Sequence, residues 1–340
     1  MPLPDLGQVA DSLQQRIPDL GMELQRLVRS IPPGRVVAYG DLANSLGDSV
    51  ASRWVATYLL LPDGPVAECS HRVVRSTGEL GLYYSGDVTE KAVKLTQEGI
   101  MARDGRVDLD QFRCELPATA KPLATLKAWQ RDFVVPRAKN VELSDVTTIG
   151  GLDVSYHGET GVAVCSCFGA DGQKLKYHDV KSLPIRFPYI SGYLAFRELP
   201  VYLELLAEMQ ANERLPDVLL VDGNGKLHPR RMGIATMLGA LVGIATIGIA
   251  KSRLCGTLLH EDLKVGTWGP IVASIDEPHE VLGYALLPHG KTKNPLFISE
   301  GYAVGEEAMR SLVDRCFAGH RSPEPIYHAD RESRRIASTL

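Results

Sequence analysis

Hydrophobic residues in the N-terminal part of the chain recur at helical spacing. In MELQRLVRSI, GDLANSL and SVASRWVATYLL the apolar positions return about every third or fourth residue, and serines suited to capping open the last segment. Turns containing Gly and Pro separate these short segments. The pattern predicts a small, mainly helical domain, and periodicity alone favours a plain helical bundle over a helix-turn-helix DNA-binding module.

The C-terminal part of the chain carries the patterns of strands. TTIGGLDVSY, GVAVCSCF and KLKYHDVKSL predict three consecutive strands, and VYLELLAEMQAN predicts a helix after them. A short buried strand in PDVLLVDGNG, a helix around RRMGIATMLGAL and a strand in GIATIGIAKS follow. A meander that continues into alternating helices and strands predicts an α/β domain, with a mixed sheet and helices packed on it.

The length of the chain and the segment between the two patterns indicate a multidomain protein. Single cores usually stop growing at about 250 residues, and this chain has 340. Prolines, alanines and threonines interrupt any period in CELPATAKPLATL, over residues 114–126. We therefore predict an N-terminal domain over residues 1–115, a linker over 116–125 and a C-terminal domain over 126–325.

Composition narrows the partners and the compartment. The formal net charge of −4 argues against a nonspecific polyanion binder, so phosphate contacts must come from local clusters. The sequence shows neither an apolar run long enough to span a bilayer nor a signal segment, which predicts a cytoplasmic protein without a membrane partner. Cys165 and Cys167 face the same side of a predicted strand, which favours small core residues over a metal site.

Three carboxylates lie where an α/β sheet can hold a ligand. Asp222 ends a buried strand ahead of a glycine-rich turn, although an aspartate there can also form a simple turn. Asp153 lies inside an apolar strand, where a carboxylate needs a partner or a metal unless it faces solvent. Glu198 lies just before or at the start of a helix, where it could instead favour the helix dipole. Together they are the hard oxygen ligands of magnesium sites and predict metal-assisted phosphoryl transfer.

Basic residues accompany the same strands. KLHPRR contains His228, Arg230 and Arg231, and IAKSR contains Lys251. They could hold phosphates or offset the charge on a leaving oxygen if they cluster at one edge of the sheet. Without that clustering, each is an ordinary surface residue.

Four motifs make the segment from about residue 126 to 312 resemble endonuclease V, the repair nuclease for deaminated bases. They are GGLDVSY, PYISGYLAFRE, PDVLLVDGNGKLHPRRMG and TIGIAKSRLCG, in this order. The resemblance implies a ribonuclease H-like mixed sheet and hydrolysis of the strand one bond beyond a deoxyinosine, on its 3′ side. It implies Mg2+ as the cofactor, with Mn2+ as the alternative. The residues that would carry catalysis are Asp153, Glu198 and Asp222, as metal ligands, and His228 and Lys251, as assisting groups near the scissile phosphate.

The same resemblance implies how the base is exposed. Pro188, Tyr189 and Ile190 in FPYISGY would form a wedge that splits the bases so that hypoxanthine can flip out. An ordinary aromatic loop packed on the core is the alternative. Gly223 and Gly225 would let the backbone approach the flipped base closely.

One motif departs from the endonuclease V pattern. The family usually has Ser-Pro-Gly-His after a strand, with the imidazole near the metal, and this chain reads SEGY. Tyr302 replaces the histidine, and because tyrosine is a poor magnesium ligand we expect it to contact phosphate or water. Glu300 replaces the proline and, as a hard oxygen donor, could take over the lost ligand if the loop brings it close.

The segment from about residue 22 to 99 resembles the DNA-binding domain of the O6-alkylguanine alkyltransferases and of the alkyltransferase-like proteins. The matching motifs are IPPGRVVAYGDLA, SRWVA, SHRVV and TGELGLYYSG. The resemblance implies a winged-helix-like domain in which Tyr39 rotates the phosphate of the target nucleotide and Arg53 fills the gap left in the duplex. Arg72 and Val73 would line the pocket. A core tyrosine and a helix-surface arginine are the ordinary alternatives.

The alkyl acceptor of the transferases is missing from this chain. Their pattern is Pro-Cys-His-Arg, in which the histidine and a later glutamate activate the cysteine. Here Cys69 has the place of the proline and Ser70 that of the acceptor, followed by His71, and Glu98 matches the glutamate. A serine hydroxyl forms little alkoxide, so we predict that Ser70 and His71 contact O6-alkylguanine DNA without accepting the alkyl group.

The two resemblances together predict a fused DNA-repair enzyme with DNA as its partner. A DNA-damage-binding protein with an inactive nuclease half is a competing hypothesis, which the complete acidic set disfavours. An inosine-specific ribonuclease, with RNA as the partner, is another. The sequence does not indicate the oligomeric state.

Overall fold

The structure is a computed structural model that describes residues 3–62, 64–260, 262–276, 279–288 and 294–340. The chain divides into two units. The C-terminal unit consists of the residues up to Ile17 together with Gln130–Arg186 and Gly192–Leu340, and the N-terminal unit consists of Pro18–Trp129 and Phe187–Ser191.

The helices of the described residues are numbered in chain order. They are α1 (Leu6–Arg16), α2 (Leu20–Arg29), α3 (Tyr39–Leu46), α4 (Ser52–Leu59), α5 (Val88–Gln97), α6 (Leu109–Phe112), α7 (Pro122–Asp132), α8 (Leu194–Ala211), α9 (Ile234–Val242), α10 (Glu306–Arg315) and α11 (Glu324–Ala337). Short 3-10 helices cover Ser49–Ala51 and Ser70–Arg72. The helices predicted from the N-terminal pattern correspond to α2, α3 and α4.

The strands of the same residues are also numbered in chain order. They are β1 (Val37–Ala38), β2 (Val73–Val74), β3 (Thr148–His157), β4 (Thr160–Gly169), β5 (Leu175–Pro184), β6 (Val218–Asp222), β7 (Ala245–Ala250), β8 (Thr257–Leu258), β9 (Trp268–Val272), β10 (Val281–Leu286) and β11 (Leu296–Tyr302). The predicted strands correspond to β3, β4, β5, β6 and β7, so the expected meander and alternation are confirmed.

In the part of the chain that the structure describes, the C-terminal unit is built on a nine-stranded sheet in the order β5-β4-β3-β6-β7-β11-β10-β9-β8. Strands β3, β6 and β7 are parallel to one another, and the remaining pairs are antiparallel, so the predicted mixed sheet is confirmed. The parallel register places Leu152 opposite Val221 and Asp222 opposite Ile249. This register brings Asp153, in the middle of β3, beside Asp222 at the end of β6.

Helices cover both faces of this sheet. On one face Ile149, Leu220 and Ile247 share a core with Leu312 of α10 and Ile326 of α11. On the other face the Thr246 hydroxyl donates to the Ala235 carbonyl of α9, 2.7 Å away, and α8 packs beside α9. The central strands β6 and β7 are therefore buried on both sides, as is usual where parallel strands alternate with helices.

Helix α11 lies directly on strand β3. A Cβ atom at Gly151 would lie 2.1 Å from the carbonyl carbon of Pro325, so a larger residue at this position would displace the helix. The sequence prediction ended the domain at residue 325 and thereby excluded α11. That boundary is wrong, because this helix covers β3 and β4 and completes the core.

The N-terminal boundary also differs from the prediction. Helix α1 packs on α8 of the C-terminal unit, where the Leu6 amide donates to Gln210 Oε1 at 3.1 Å and Gln210 Nε2 donates to the Pro4 carbonyl at 2.9 Å. The predicted linker is partly helical, because α7 begins at Pro122, a residue well suited to the first position of a helix.

The N-terminal unit is mainly helical, as predicted. Strands β1 and β2 form a short parallel pair, with Val37 opposite Val73. Its core includes Val36, Val74 and Leu95. None of the helices that the structure describes, in either unit, combines the length and the apolar character needed to cross a membrane.

Candidate functional site

Three aspartates meet at one edge of the large sheet. Asp153 comes from β3, Asp222 ends β6 and Asp330 lies on α11. Among the described residues these acids can share a metal ion, because one carboxylate oxygen of each lies within 4.8 Å of the others. We call this group the aspartate cluster.

Asp330 was missed by the sequence prediction. In HADRESRR it is one of several charged residues on an amphipathic helix, where charges usually form a solvated face. A usable signal was its spacing from Ser333, since residues three apart share one face of a helix. Both side chains contribute to the site, so α11 belongs to it.

Asp153 is buried and held by a hydroxyl. It is 6% exposed, and the Ser333 hydroxyl donates to its Oδ2 at 2.7 Å. Burial, and then the charge of Asp222, raises the pKa of Asp153 to about 7. A carboxylate in this environment is costly in the absence of a cation.

Lys251 joins two members of the aspartate cluster. Its ammonium donates to Asp222 Oδ2 at 2.6 Å and to Asp330 Oδ1 at 3.3 Å. Burial lowers the pKa of Lys251, but the charge and hydrogen bond of Asp222 outweigh it, so the pKa is raised. The predicted clustering of a basic residue with the acids is therefore present for Lys251.

The donor set of the aspartate cluster fits a divalent cation. Three carboxylates provide the hard oxygens that Mg2+ and Mn2+ prefer, and the costly burial of Asp153 would be offset by a positive ion. Lys251 forms ion pairs with Asp222 and Asp330, which shows that these carboxylates too are stabilised by a positive charge.

Glu198 lies next to this cluster in the second turn of α8. The helix begins at Leu194, so the prediction that Glu198 stands at a helix start is wrong; α8 continues through Pro200. The Tyr156 hydroxyl donates to Glu198 Oε1 at 2.6 Å. Burial raises the pKa of Glu198, the hydrogen bond from Tyr156 lowers it, and the neighbouring aspartates raise it, with a net value of about 8.

His228 is tied to the backbone on both sides of its ring. Nε2 lies 3.3 Å from the Gly192 carbonyl, and the Arg230 amide donates to Nδ1 at 3.2 Å. Burial, and then the charge of Arg230, lowers the pKa of His228 to about 4, so the ring is neutral near pH 7. Arg230 donates to Gln130 Oε1 at 2.9 Å and Arg231 to Glu280 at 2.6 Å. These residues hold loops together, and assistance by His228 at the phosphate stays a prediction.

A second group of polar residues lies in the N-terminal unit. His71 Nε2 is 2.8 Å from Glu98 Oε1, and Arg72 Nη2 donates to the same oxygen at 2.6 Å. Burial raises the pKa of Glu98, but hydrogen bonds from Arg72, His71 and the Gly34 amide lower it by more, so that the net pKa is about 2. Burial lowers the pKa of His71. The Ser70 hydroxyl donates to the Ala67 carbonyl at 3.0 Å.

Family models match both units. The model of endonuclease V matches residues 132–331, more than half of the chain. The chain belongs to the endonuclease V family. The DNA-binding domain of 6-O-methylguanine DNA methyltransferase matches residues 20–100. The predicted combination of an endonuclease V domain with an alkyltransferase-related DNA-binding domain is confirmed, and the chain is an endonuclease V-type DNA-repair protein.

Known proteins are similar to this endonuclease V over most of its length. A bifunctional methyltransferase/endonuclease from Picrophilus torridus is 35% identical over 241 residues, 71% of this chain and 77% of the relative. The catalytic domain of human endonuclease V is 31% identical with a TM-score of 0.59, over 65% of this chain and 98% of that chain. Endonuclease V from Ciona intestinalis, in complex with a 23mer DNA containing an inosine followed by a ribo-adenosine, is 30% identical with a TM-score of 0.58, over 65% and 99%.

The segment predicted to form a wedge, residues 188–190, has one exposed aromatic side chain. Tyr189 is 67% exposed, Ile190 is 2% exposed and Pro188 is half-buried. Gly223 has a φ of 155°, and a Cβ atom there would lie 2.4 Å from Ile234. At Gly225 a Cβ atom would lie 2.2 Å from the Glu300 carbonyl oxygen. Both glycines are thus required by close contacts within the endonuclease V fold, and their approach to a base stays a prediction.

Tyr302 lies far from the aspartate cluster, so its predicted position is wrong. Asp222 is opposite Ile249, which is opposite Ile298, whereas Tyr302 is opposite Thr246. Four residues of strand separate Ile298 from Tyr302, a distance of about 13 Å. Because β11 runs antiparallel to β7, it ends at the edge of the sheet where β7 begins.

Glu300 also has a different partner from the one expected. Its carboxylate forms an ion pair with the Lys226 ammonium. Its place on β11 is opposite Ile247, between the level of the aspartate cluster and Tyr302. The structure therefore gives Glu300 no part in the aspartate cluster.

The remaining predicted DNA-binding residues of the N-terminal unit lie on different elements. Arg53 is exposed on α4, and Tyr39 is half-buried at the start of α3. The Val73 carbonyl accepts from the Lys91 ammonium at 2.6 Å. Lys91 is fully buried, and burial lowers its pKa to about 7. The sequence did not indicate that Lys91 is buried, because a lysine on a helix such as α5 is usually a surface residue.

Cys165 and Cys167 lie in the core of the C-terminal unit. Both are fully buried, and their Sγ atoms are 3.7 Å apart on β4. The prediction that they are core residues is confirmed. They lie outside the aspartate cluster, the group among the described residues that could hold a metal ion.

Proposed function

We propose that this endonuclease V uses Mg2+ to hydrolyse a DNA strand one bond beyond a deoxyinosine, on its 3′ side. The observation that carries the proposal is the aspartate cluster with Lys251 hydrogen-bonded to two of its members. The Ciona intestinalis relative in complex with inosine-containing DNA supports DNA as the partner.

The residues of the site have separate tasks in this proposal. Asp153, Asp222 and Asp330 would hold the cation, with Glu198 beside them. A divalent cation bound there supplies an activated water and charge for the leaving oxygen. Lys251 has an ammonium that can donate to a phosphate oxygen once the strand is bound. Tyr189 is the exposed ring that would support the bases parted from the lesion.

We propose that the N-terminal unit is winged-helix-like and binds O6-alkylguanine without accepting the alkyl group. Ser70 stands at the acceptor position and its hydroxyl is bonded to the Ala67 carbonyl, so the group that would attack is a poor nucleophile that is already engaged. His71, Arg72 and Glu98 would support the pocket wall through their shared ion pairs.

An incision assay tests both parts. Matched duplexes would carry deoxyinosine, O6-methylguanine or neither, with Mg2+, with Mn2+ and with chelator. We expect metal-dependent cleavage of the deoxyinosine strand alone and binding of O6-methylguanine without transfer of a labelled methyl group. Loss of cleavage in Asp222→Asn would support the metal assignment. An uncleaved deoxyinosine strand would favour the damage-binding alternative.

A ribonucleotide next to the inosine is the second substrate to test. The Ciona intestinalis relative is in complex with DNA in which a ribo-adenosine follows the inosine. Strands with deoxyadenosine or ribo-adenosine at that place, and an all-RNA strand, would be compared at equal concentration. Faster cleavage of the ribo-containing strands would favour the ribonuclease alternative.

A further inference from the structure

Side chains of β3 extend from both faces of the sheet at the proposed nuclease site. Asp153 accepts from Ser333 of α11, and Ser155 lies 2.8 Å from the same hydroxyl. Tyr156 instead reaches Glu198 of α8. Successive residues of a strand point to opposite faces, so Glu198 is brought to the site from the side opposite α11, with Tyr156 as its contact on β3.

Tyr156 is held on two sides by consecutive residues of α8. The guanidinium of Arg197 lies 4.3 Å from the centre of its ring, and the hydroxyl donates to Glu198 Oε1 at 2.6 Å. A cation over an aromatic face and a short hydrogen bond to a carboxylate both fix orientation. The hydroxyl therefore determines where one oxygen of Glu198 lies.

We propose that the Tyr156 hydroxyl is a positioning group of the nuclease site, which holds Glu198 so that its second carboxylate oxygen serves the cation bound by the aspartate cluster. This inference rests on the proposed metal-dependent function. In this role Tyr156 contacts neither the cation nor the DNA strand and acts through Glu198. The physical reason is that a nearly buried carboxylate, 7% exposed, needs a fixed partner for each oxygen. Removal of the hydroxyl leaves Oε1 without its donor, and the side chain can turn away.

Tyr202 provides a matched control. It is fully buried on α8, one turn after Glu198, and its hydroxyl has no hydrogen-bond partner among the described residues. Tyr202→Phe thus removes a buried hydroxyl close to the same acid without removing a hydrogen bond. The comparison separates the bond to Glu198 from the general effect of deleting a phenol.

Mn2+ binding to the DNA-free protein, followed by electron paramagnetic resonance of the free ion, tests the inference in the wild type and both variants. We expect Tyr156→Phe to weaken Mn2+ binding about tenfold, the effect of losing one hydrogen bond to a charged group. Tyr202→Phe should bind Mn2+ like the wild type. Incision measured over a range of Mn2+ should show the same shift in half-saturation for Tyr156→Phe.

Metal-free melting curves complete the test. Equal Mn2+ affinity in Tyr156→Phe and the wild type would overturn the inference, and so would an equal loss in both variants. A Tyr156→Phe protein that fails to fold would show a structural role and overturn it too. The proposed nuclease function is judged separately, by wild-type incision at deoxyinosine, and its failure leaves the Mn2+ comparison readable.

Discussion

At the scale of single residues, the acids of the proposed nuclease site each have a hydrogen-bond donor from this chain. Ser333 serves Asp153, Lys251 serves Asp222 and Asp330, and Tyr156 serves Glu198. These donors do not fully offset burial, because the pKa values of Asp153 and Glu198 remain raised, to about 7 and about 8. Without a cation, the group of acids is therefore electrostatically unfavourable near neutral pH, and a bound divalent cation would offset that cost.

We expect the metal-free protein to lose stability as the pH rises and a divalent metal to restore it. Unfolded carboxyl groups titrate near about pH 4, whereas Asp153 and Glu198 titrate at about 7 and about 8, raised in both cases first by burial. Their stabilising contribution is complete below the unfolded pKa and is lost as the pH rises through the folded pKa. Melting temperatures with and without Mg2+ should differ little at about pH 5 and clearly at about pH 8. An equal gain at both pH values would contradict this.

Asp330 and Tyr302 give opposite predictions for the nuclease. Asp330→Asn removes a charged member of the aspartate cluster, and we expect incision to slow at least about 100-fold, roughly 2.7 kcal/mol in the activation free energy. Tyr302→Phe changes a residue about 13 Å along the sheet and should leave the rate within about twofold. Single-turnover incision of a deoxyinosine duplex at saturating Mg2+ measures both. Similar losses in the two variants would contradict the placement of Tyr302.

At the scale of elements, local patterns predicted what depends on neighbours in sequence. Alternation and buried runs predicted β3 to β7, and the carboxylates of β3 and β6 came together because those strands are parallel neighbours. The predicted start of α8 was wrong, because the predicted helix VYLELLAEMQAN begins at Val201 whereas α8 begins at Leu194 and runs through Pro200. The sequence prediction missed Asp330 and misplaced Tyr302 for a reason that involves contacts distant in sequence. The packing of α11 on Gly151 and the antiparallel direction of β11 depend on tertiary contacts that no local period encodes.

Helix α1 should stabilise the nuclease although it precedes the N-terminal unit in sequence. Leu13 is 2% exposed on α1, and Leu13→Ala should lower the free energy of unfolding by about 2 to 4 kcal/mol. Because α1 packs on α8, heat inactivation of incision should accelerate, whereas binding of O6-methylguanine DNA should persist. Thermal melting and residual activity after heating measure this, with the exposed neighbour variant Gln14→Ala as control. Loss of alkylguanine binding with incision preserved would place α1 in the other unit.

At the scale of the whole molecule, the chain joins two proposed sites whose side chains differ in chemistry. The C-terminal unit brings together carboxylates that could hold a cation, whereas the N-terminal unit brings Arg72 and His71 around Glu98 and has Ser70 at the proposed acceptor position. The net charge of −4 gives little general attraction to DNA, so each site must supply its own local contacts. Arg53 on α4 and Lys251 at the aspartate cluster are exposed or half-exposed cations that can do so.

This division predicts that one substitution in each unit will weaken or abolish one activity and spare the other. Arg53→Ala should weaken binding to an O6-methylguanine duplex by about 1 to 3 kcal/mol, the range of a good base-level contact, and leave incision at deoxyinosine unchanged. Asp222→Asn should abolish incision and leave O6-methylguanine binding unchanged, because it replaces a charged ligand by a group of the same shape. Fluorescence anisotropy at fixed salt and single-turnover incision, measured on the same preparations, provide the two readouts. A loss of both activities in either variant would show that the two sites depend on each other, since independent sites transmit no effect of a side-chain change that preserves the fold.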